Sequence, residues 1–284
     1  MMAKLIKHEY RATARTFVPL LGAVLALTGL SWRSLRLGSA LWAERMGIFH
    51  KVFAAAGGIL TVFTFFTLVA LMICAVVVTI QRFYKNVLGD EGYLTLTLPA
   101  TPAQHIAAKL IVGVAWTAAA LALAVLSAFA LGTSAVEVTQ GDMQVHHMTM
   151  AEVSAGFAGY FGFPLWKGVG IVVLTFLSGV VDTYLMTYFC MAVGSQWPQQ
   201  RLAASIGVFV GLDFIRRVLF VIVFAVVGTT IAAPGTALYQ TLTGLTAGSV
   251  FQTVPAFFCI LCVVESAVFF FAARWLLTKR LNLA

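Results

Sequence analysis

Six long apolar stretches, at 17–37, 50–80, 105–133, 165–193, 202–232 and 250–277, alternate along the chain with shorter, more polar segments. A bilayer crossing needs about 20 apolar residues, which as a helix at about 1.5 Å per residue spans about 30 Å. Each stretch meets that length. Inside hydrocarbon the backbone polar groups have no water to bond, so uninterrupted apolar runs of this length must be helices. A membrane barrel would instead show segments of about ten residues alternating apolar and polar, and none stands out. The pattern predicts an all-α polytopic membrane protein with six transmembrane helices, built as a single domain over 1–284. Several stretches exceed a straight crossing, which predicts tilting, bending or projection from the bilayer.

The polar start, MMAKLIKHEYRATART, has its own periodicity. At about 100° per residue, Lys4, Lys7, Arg11 and Arg15 share one stripe, and Ile6, Tyr10, Ala14 and Phe17 lie nearly opposite. This predicts that residues 1–16 form a basic amphipathic helix lying in the membrane interface, with a plain basic anchor as the alternative. Pro19 falls near the start of the first span, where proline is tolerated. Pro234 and Pro255 punctuate the last external turn.

Composition agrees with the pattern. Apolar residues make up 61% of the chain and charged residues 10%, against about 25% charged in soluble domains. The net charge of +8 reads as anchoring and orientation rather than nucleic-acid binding, because basic residues concentrate at helix ends with no interleaved basic–aromatic surface. With the N-terminus inside, Lys4, Lys7, Arg11, Arg15, Arg82, Lys85, Lys109, Arg201, Arg274, Lys279 and Arg280 are cytoplasmic. Arg33, Arg36, Arg45, Lys51 and Lys167 are external, and Arg216 and Arg217 lie within a span. Both termini are thereby expected in the cytoplasm, with 81–104 cytoplasmic and 134–164 the largest external segment. A cleaved signal peptide is not expected, since the first apolar segment is long and five more follow.

Candidate chemistry is sparse. No G-x-x-x-x-G-K-[ST] phosphate loop, G-x-S-x-G or H-E-x-x-H occurs, so the chain is not read as an enzyme and no cofactor is expected in it. Cys74, Cys190, Cys259 and Cys262 all lie in apolar stretches and read as packing residues. The external His/Met cluster around His146, His147 and Met148 has ligands that suit a soft metal, but adjacent histidines are also ordinary loop residues, and no metal is assigned. Asp182 in the fourth stretch, Asp213, Arg216 and Arg217 in the fifth, and Glu265 in the sixth are ionisable groups at membrane depth. Such groups are costly in lipid and face protein or water. Asp213 stands three and four residues before the two arginines and can pair with either. The set reads either as a satisfied salt bridge joined by Asp182 or Glu265, or as the polar lining of a substrate path.

Between the second and third stretches lies GDEGYLTLTLP, residues 89–99. Read as a short helix over 90–98, it places Leu94 and Leu98 on one face and Asp90 and Glu91 at the N-terminal end, where acids are favoured. Gly89 and Gly92 permit close approach, and Pro99 and Pro102 end the segment. A docking peg accounts for Tyr93 and the leucines better than a solvated turn does.

The KLIKHEYRATAR start, the six spans and the run R-F-Y-K-N-x-L-G-D-E-G-Y-L-T-x-T-L-P resemble the permease subunits of ABC-2 type transporters, in particular the small permeases of Gram-positive bacteria. The motif covers about residues 82–102, with weaker similarity at the N-terminus and at Gly194 to Arg201. The resemblance implies an exporter-like fold in the bacterial plasma membrane. It also implies a coupling helix carrying Asp90, Glu91, Gly92, Tyr93, Leu94 and Leu98 that docks on a separate ATPase subunit. Two ATPase subunits would bind ATP and Mg, and a second permease, identical or related, would complete the complex. The cargo implied is amphipathic or hydrophobic: a peptide antibiotic, a drug or a lipid-like compound. The long external segment, with a possible helix near 149–160, departs from the pattern. Two other readings stay open. One is an ion-coupled secondary transporter using Asp182, Asp213 and Glu265. The other is a non-transporting membrane immunity or sensor protein.

Overall fold

The computed structural model describes residues 2–43, 47–85, 101–133, 136–137, 146–147, 149–197, 199–232 and 246–279. Seven helices dominate the described residues: α1 Met2–Ala43, α2 Gly47–Phe83, α3 Pro102–Gly132, α4 Met150–Phe161, α5 Leu165–Gly194, α6 Arg201–Ala232 and α7 Ala247–Lys279. Between α3 and α4, β1 (Val136–Glu137) pairs antiparallel with β2 (His146–His147). Five helices are long and apolar enough to cross a membrane: α1, α2, α3, α5 and α7. That makes this a multi-pass type of membrane chain. The helix α6, at 32 residues, has the length of its neighbours but carries Asp213, Arg216 and Arg217 in its middle.

The N-terminus differs from expectation. Residues 2–16 do not stand apart as a short helix of their own but form the first turns of a continuous α1, with Pro19 inside it. Part of its apolar face packs on protein, with Phe17 buried and Tyr10 still exposed. Tyr10 and Phe17 stack on Trp116 of α3 at 4.8 and 5.0 Å between ring centroids, and Trp116 Nε1 donates to Thr13 Oγ1 at 2.8 Å. Lys4, Lys7, Arg11 and Arg15 remain exposed on the opposite stripe. The helical periodicity was legible, and the partner of its apolar face was not. Pro255 likewise lies within α7 rather than in the preceding turn.

The helices fall into two compact units. One comprises Ala3–Thr79 and Ile111–Phe157. Its core is a seam of Phe17 and Val24 from α1, Leu71 and Ala75 from α2, and Val112, Trp116, Ala120 and Leu123 from α3. Spacings of three, four and seven keep each set on one helix face. Hydroxyls join the same helices. Thr28 Oγ1 lies 2.9 Å from Ser127 Oγ, and Ser31 Oγ lies 3.1 Å from Thr64 Oγ1. Each also bonds its own helix, Thr28 to Val24 O at 2.8 Å and Ser31 to Leu27 O at 2.8 Å. Buried hydroxyls satisfied in this way serve as interhelical contacts in an apolar surround.

The other unit comprises the two N-terminal residues, Ile80–Leu110 and Ala158–Ala284. Here α5 packs against both α6 and α7. Contacts between α5 and α7 advance together: Lys167 with Gln252 at 2.8 Å, Ser178 with Cys259 at 3.4 Å, and Phe189 with Phe269 at 5.6 Å. The two helices therefore run parallel. Contacts between α5 and α6 run in opposite senses, Gly194 lying against Ser205 and Asp182 against Arg216, so α6 returns antiparallel to both. All four cysteines are free and sit in helices, Cys190 and Cys262 buried.

Local signals account for the helix ends nearest this unit. Thr149 and Glu152 cap α4 reciprocally: Thr149 N donates to Glu152 Oε2 at 2.6 Å and Glu152 N to Thr149 Oγ1 at 3.3 Å. Gly162 closes the same helix in the left-handed region at φ +76, a conformation that costs little without a Cβ. Pro164 then opens α5.

Candidate functional site

Asp182 lies about twelve residues before the C-terminal end of α5, Asp213 about twelve after the start of α6, and Glu265 about fourteen before the end of α7. Those three helix ends share one side of the unit. At about 1.5 Å per residue the carboxylates fall in one layer, about 20 Å in from it. The antiparallel return of α6 makes this possible.

The layer is organised around Arg216. Its Nη1 donates to Asp182 Oδ2 at 2.6 Å and lies 3.5 Å from Glu265 Oε2, while its Nη2 donates to Asp213 Oδ1 at 3.4 Å. One guanidinium thus meets carboxylates from α5, α6 and α7. Arg217 donates from Nε to Asp213 Oδ2 at 2.6 Å, so Asp213 bridges both arginines at helical spacings of three and four. Short N–H···O contacts between ionised groups are among the stronger protein hydrogen bonds. The environments are unequal: the side chain of Asp182 is 3% exposed, that of Glu265 38% and that of Arg217 77%. Asp182 Oδ1 is buried without a hydrogen-bond partner among the described residues, as is Oγ of Ser266, the neighbour of Glu265. Cys262 lies close enough to interact with Asp182 and Glu265.

A second feature was not anticipated from the sequence. Phe83, the last residue of α2, is fully buried and stacks on Tyr188 of α5, 3.9 Å between centroids and 13° between planes. Stacked aromatic pairs contribute about 0.5–1.5 kcal/mol beyond their buried area. Tyr188 stands six residues, about 9 Å along the helix, from Asp182. The contact therefore joins the end of α2, where the run beginning Arg82-Phe83 starts, to the helix that carries the innermost carboxylate. No periodicity could have flagged it, because the two aromatics lie on different helices and spacing along one helix does not name its neighbour.

Of the residues singled out in the sequence, the structure brings together Asp182, Asp213, Arg216, Arg217 and Glu265. Asp90, Glu91, Gly92, Tyr93, Leu94 and Leu98 lie outside the described residues, as does Met148. His146 and His147 form β2 by their backbones. Among the described residues no three His, Cys, Asp or Glu side chains converge as metal ligands.

No family model, curated protein or solved structure matches this chain.

Proposed function

We propose that this chain is the membrane-spanning subunit of an ATP-driven exporter of the ABC-2 type. It would lie in the bacterial plasma membrane with six crossings and both termini in the cytoplasm. The reading assigns ATP and Mg to two copies of a separate ATPase subunit. It pairs this chain with a second permease, identical or related. The cargo class is amphipathic or hydrophobic.

The observation that carries the reading is the Phe83–Tyr188 stack. A docking segment does mechanical work only if its displacement reaches the spans. Here the helix that leads into residues 84–101 ends on a buried aromatic packed against α5. A push on that segment would pass through a close-packed contact rather than a slack loop. Close-packed interiors transmit displacement in this way because they have few voids to absorb it. In this reading the spans alternate between two access states, and the ATPase biases one of them by binding it better.

The test is affinity capture of the full chain from its native membrane, with and without the double change Glu91→Ala, Tyr93→Ala. The expected result is an ATPase subunit captured with the native chain and lost with the variant. Absence of any ATPase from both samples would sink the proposal.

A further inference from the structure

The charged layer of α5, α6 and α7 has an odd count. Asp182, Asp213 and Glu265 supply three negative charges, and Arg216 and Arg217 two positive ones. Arg217 is matched by Asp213 at 2.6 Å and Arg216 by Asp182 at 2.6 Å. Glu265 is the surplus: among the described residues its one cationic neighbour is Arg216, whose Nη1 lies 3.5 Å away and already serves Asp182. An unmatched charge at this depth is expensive. Two carboxylates converging on one nitrogen also repel each other, which favours a shared proton.

We propose that the Asp182–Glu265 pair is a proton-binding site, taking up one proton from water so that the layer is neutral. The proton belongs to the pair, since both carboxylates meet at one guanidinium nitrogen. Glu265, more than a third exposed, is the side from which the proton enters, and Asp182 Oδ1, buried without a partner, is the unsatisfied oxygen within. The groups facing the pair are Asp213, Arg216 and Arg217 from α6 and Cys262 from α7. Among the described residues none supplies a further positive charge. A metal ion is the poorer occupant, because hard cations take six or more oxygen ligands and no such convergence exists among the described residues. A proton needs one oxygen. The step is simple addition of H⁺ to a carboxylate, with no bond broken elsewhere and no second reactant. The inference does not depend on the exporter reading and holds for the chain without any ATPase.

The experiment is infrared spectroscopy of the purified full chain in lipid nanodiscs at neutral pH, reading the C=O stretch of a protonated carboxylic acid. One such band is expected in the native chain, sensitive to carbon-13 labelling of aspartate or glutamate. Glu265→Gln removes the surplus charge and should abolish the band, as should Asp182→Asn. Arg216→Gln leaves two unmatched carboxylates and should raise its intensity about twofold, from one protonated carboxyl to two. Glu152→Gln, on α4, should change nothing. A native spectrum without the band overturns the proposal whatever the variants do. So does a band that survives at full intensity in Glu265→Gln or in Asp182→Asn. Failure here with ATPase capture intact would leave the exporter reading standing, and the reverse would leave the proton site standing.

Discussion

Arg216 of α6 donates to Asp182 of α5 at 2.6 Å, and Asp182 is almost wholly buried while Arg216 is 40% exposed. The asymmetry decides which partner depends on the other. Removing Arg216 strands a carboxylate inside the unit; removing Asp182 leaves a guanidinium that still has Asp213 and Glu265 beside it. Breaking a fully buried pair costs about 3–5 kcal/mol, and the exposure of Arg216 lowers that toward about 2 kcal/mol. Arg216→Gln should therefore destabilise the α5–α6 packing by about 2 kcal/mol, read as a fall in melting temperature in nanodiscs. Combining it with Asp182→Asn should recover much of the loss, because both partners are then neutral. A double variant no more stable than Arg216→Gln would show that the pair is not the cause.

Under the proposed exporter reading, Phe83→Ala separates binding from coupling. It deletes a buried aromatic, at a cost of about 3 kcal/mol or more, but leaves residues 89–99 unaltered. The expected outcome is retained capture of the ATPase and loss of transport-linked stimulation of its hydrolysis. Phe83→Tyr, which preserves the ring, should stay closer to native if the added hydroxyl is accommodated. Loss of capture in Phe83→Ala would mean that the stack only shapes the docking segment.

Trp116 holds the first turns of α1 through two stacks and one hydrogen bond. Trp116→Phe keeps much of the ring but leaves Thr13 without its donor, costing about 1 kcal/mol. Trp116→Ala empties the site and should cost about 3–5 kcal/mol. Because Lys4, Lys7, Arg11 and Arg15 lie on the exposed stripe, release of this segment is readable as faster tryptic cleavage. Rates should rise in the order native, Trp116→Phe, Trp116→Ala. Equal rates would place the anchor elsewhere.

Gly194 and Gly207 make a matched pair. A Cβ on Gly194 would stand 2.6 Å from the backbone nitrogen of Ser205 and 2.7 Å from its Cα, so Gly194→Ala must push α6 away from α5. Overpacking of this kind costs about 1–3 kcal/mol. Gly207 on α6 has nothing within 4 Å of such a Cβ, so Gly207→Ala should be neutral or gain up to about 1 kcal/mol from helix propensity. Thermal melts of the two variants check the contrast. A melt of Gly194→Ala no lower than that of Gly207→Ala would contradict the close α5–α6 approach.

Much of this architecture was legible from residue types alone. Length and apolar periodicity determined that the chain is helical and contains membrane-length elements, because a backbone in hydrocarbon has no alternative way to satisfy its polar groups. Local rules reached as far as a possible helix near 149–160 and the pairing of Asp213 with Arg216 and Arg217, since those partners lie within one turn of each other. Spacing along one helix could not say which neighbour lies across from it. That Tyr10 and Phe17 would meet Trp116 rather than lipid, that Phe83 would end on Tyr188, and that Arg216 would face Asp182 and Glu265 depended on helix order and direction. A pattern along one helix can name its apolar face but not the residue that packs on it. The parallel register of α5 and α7, with α6 returning antiparallel, made one charged layer out of three separate residues.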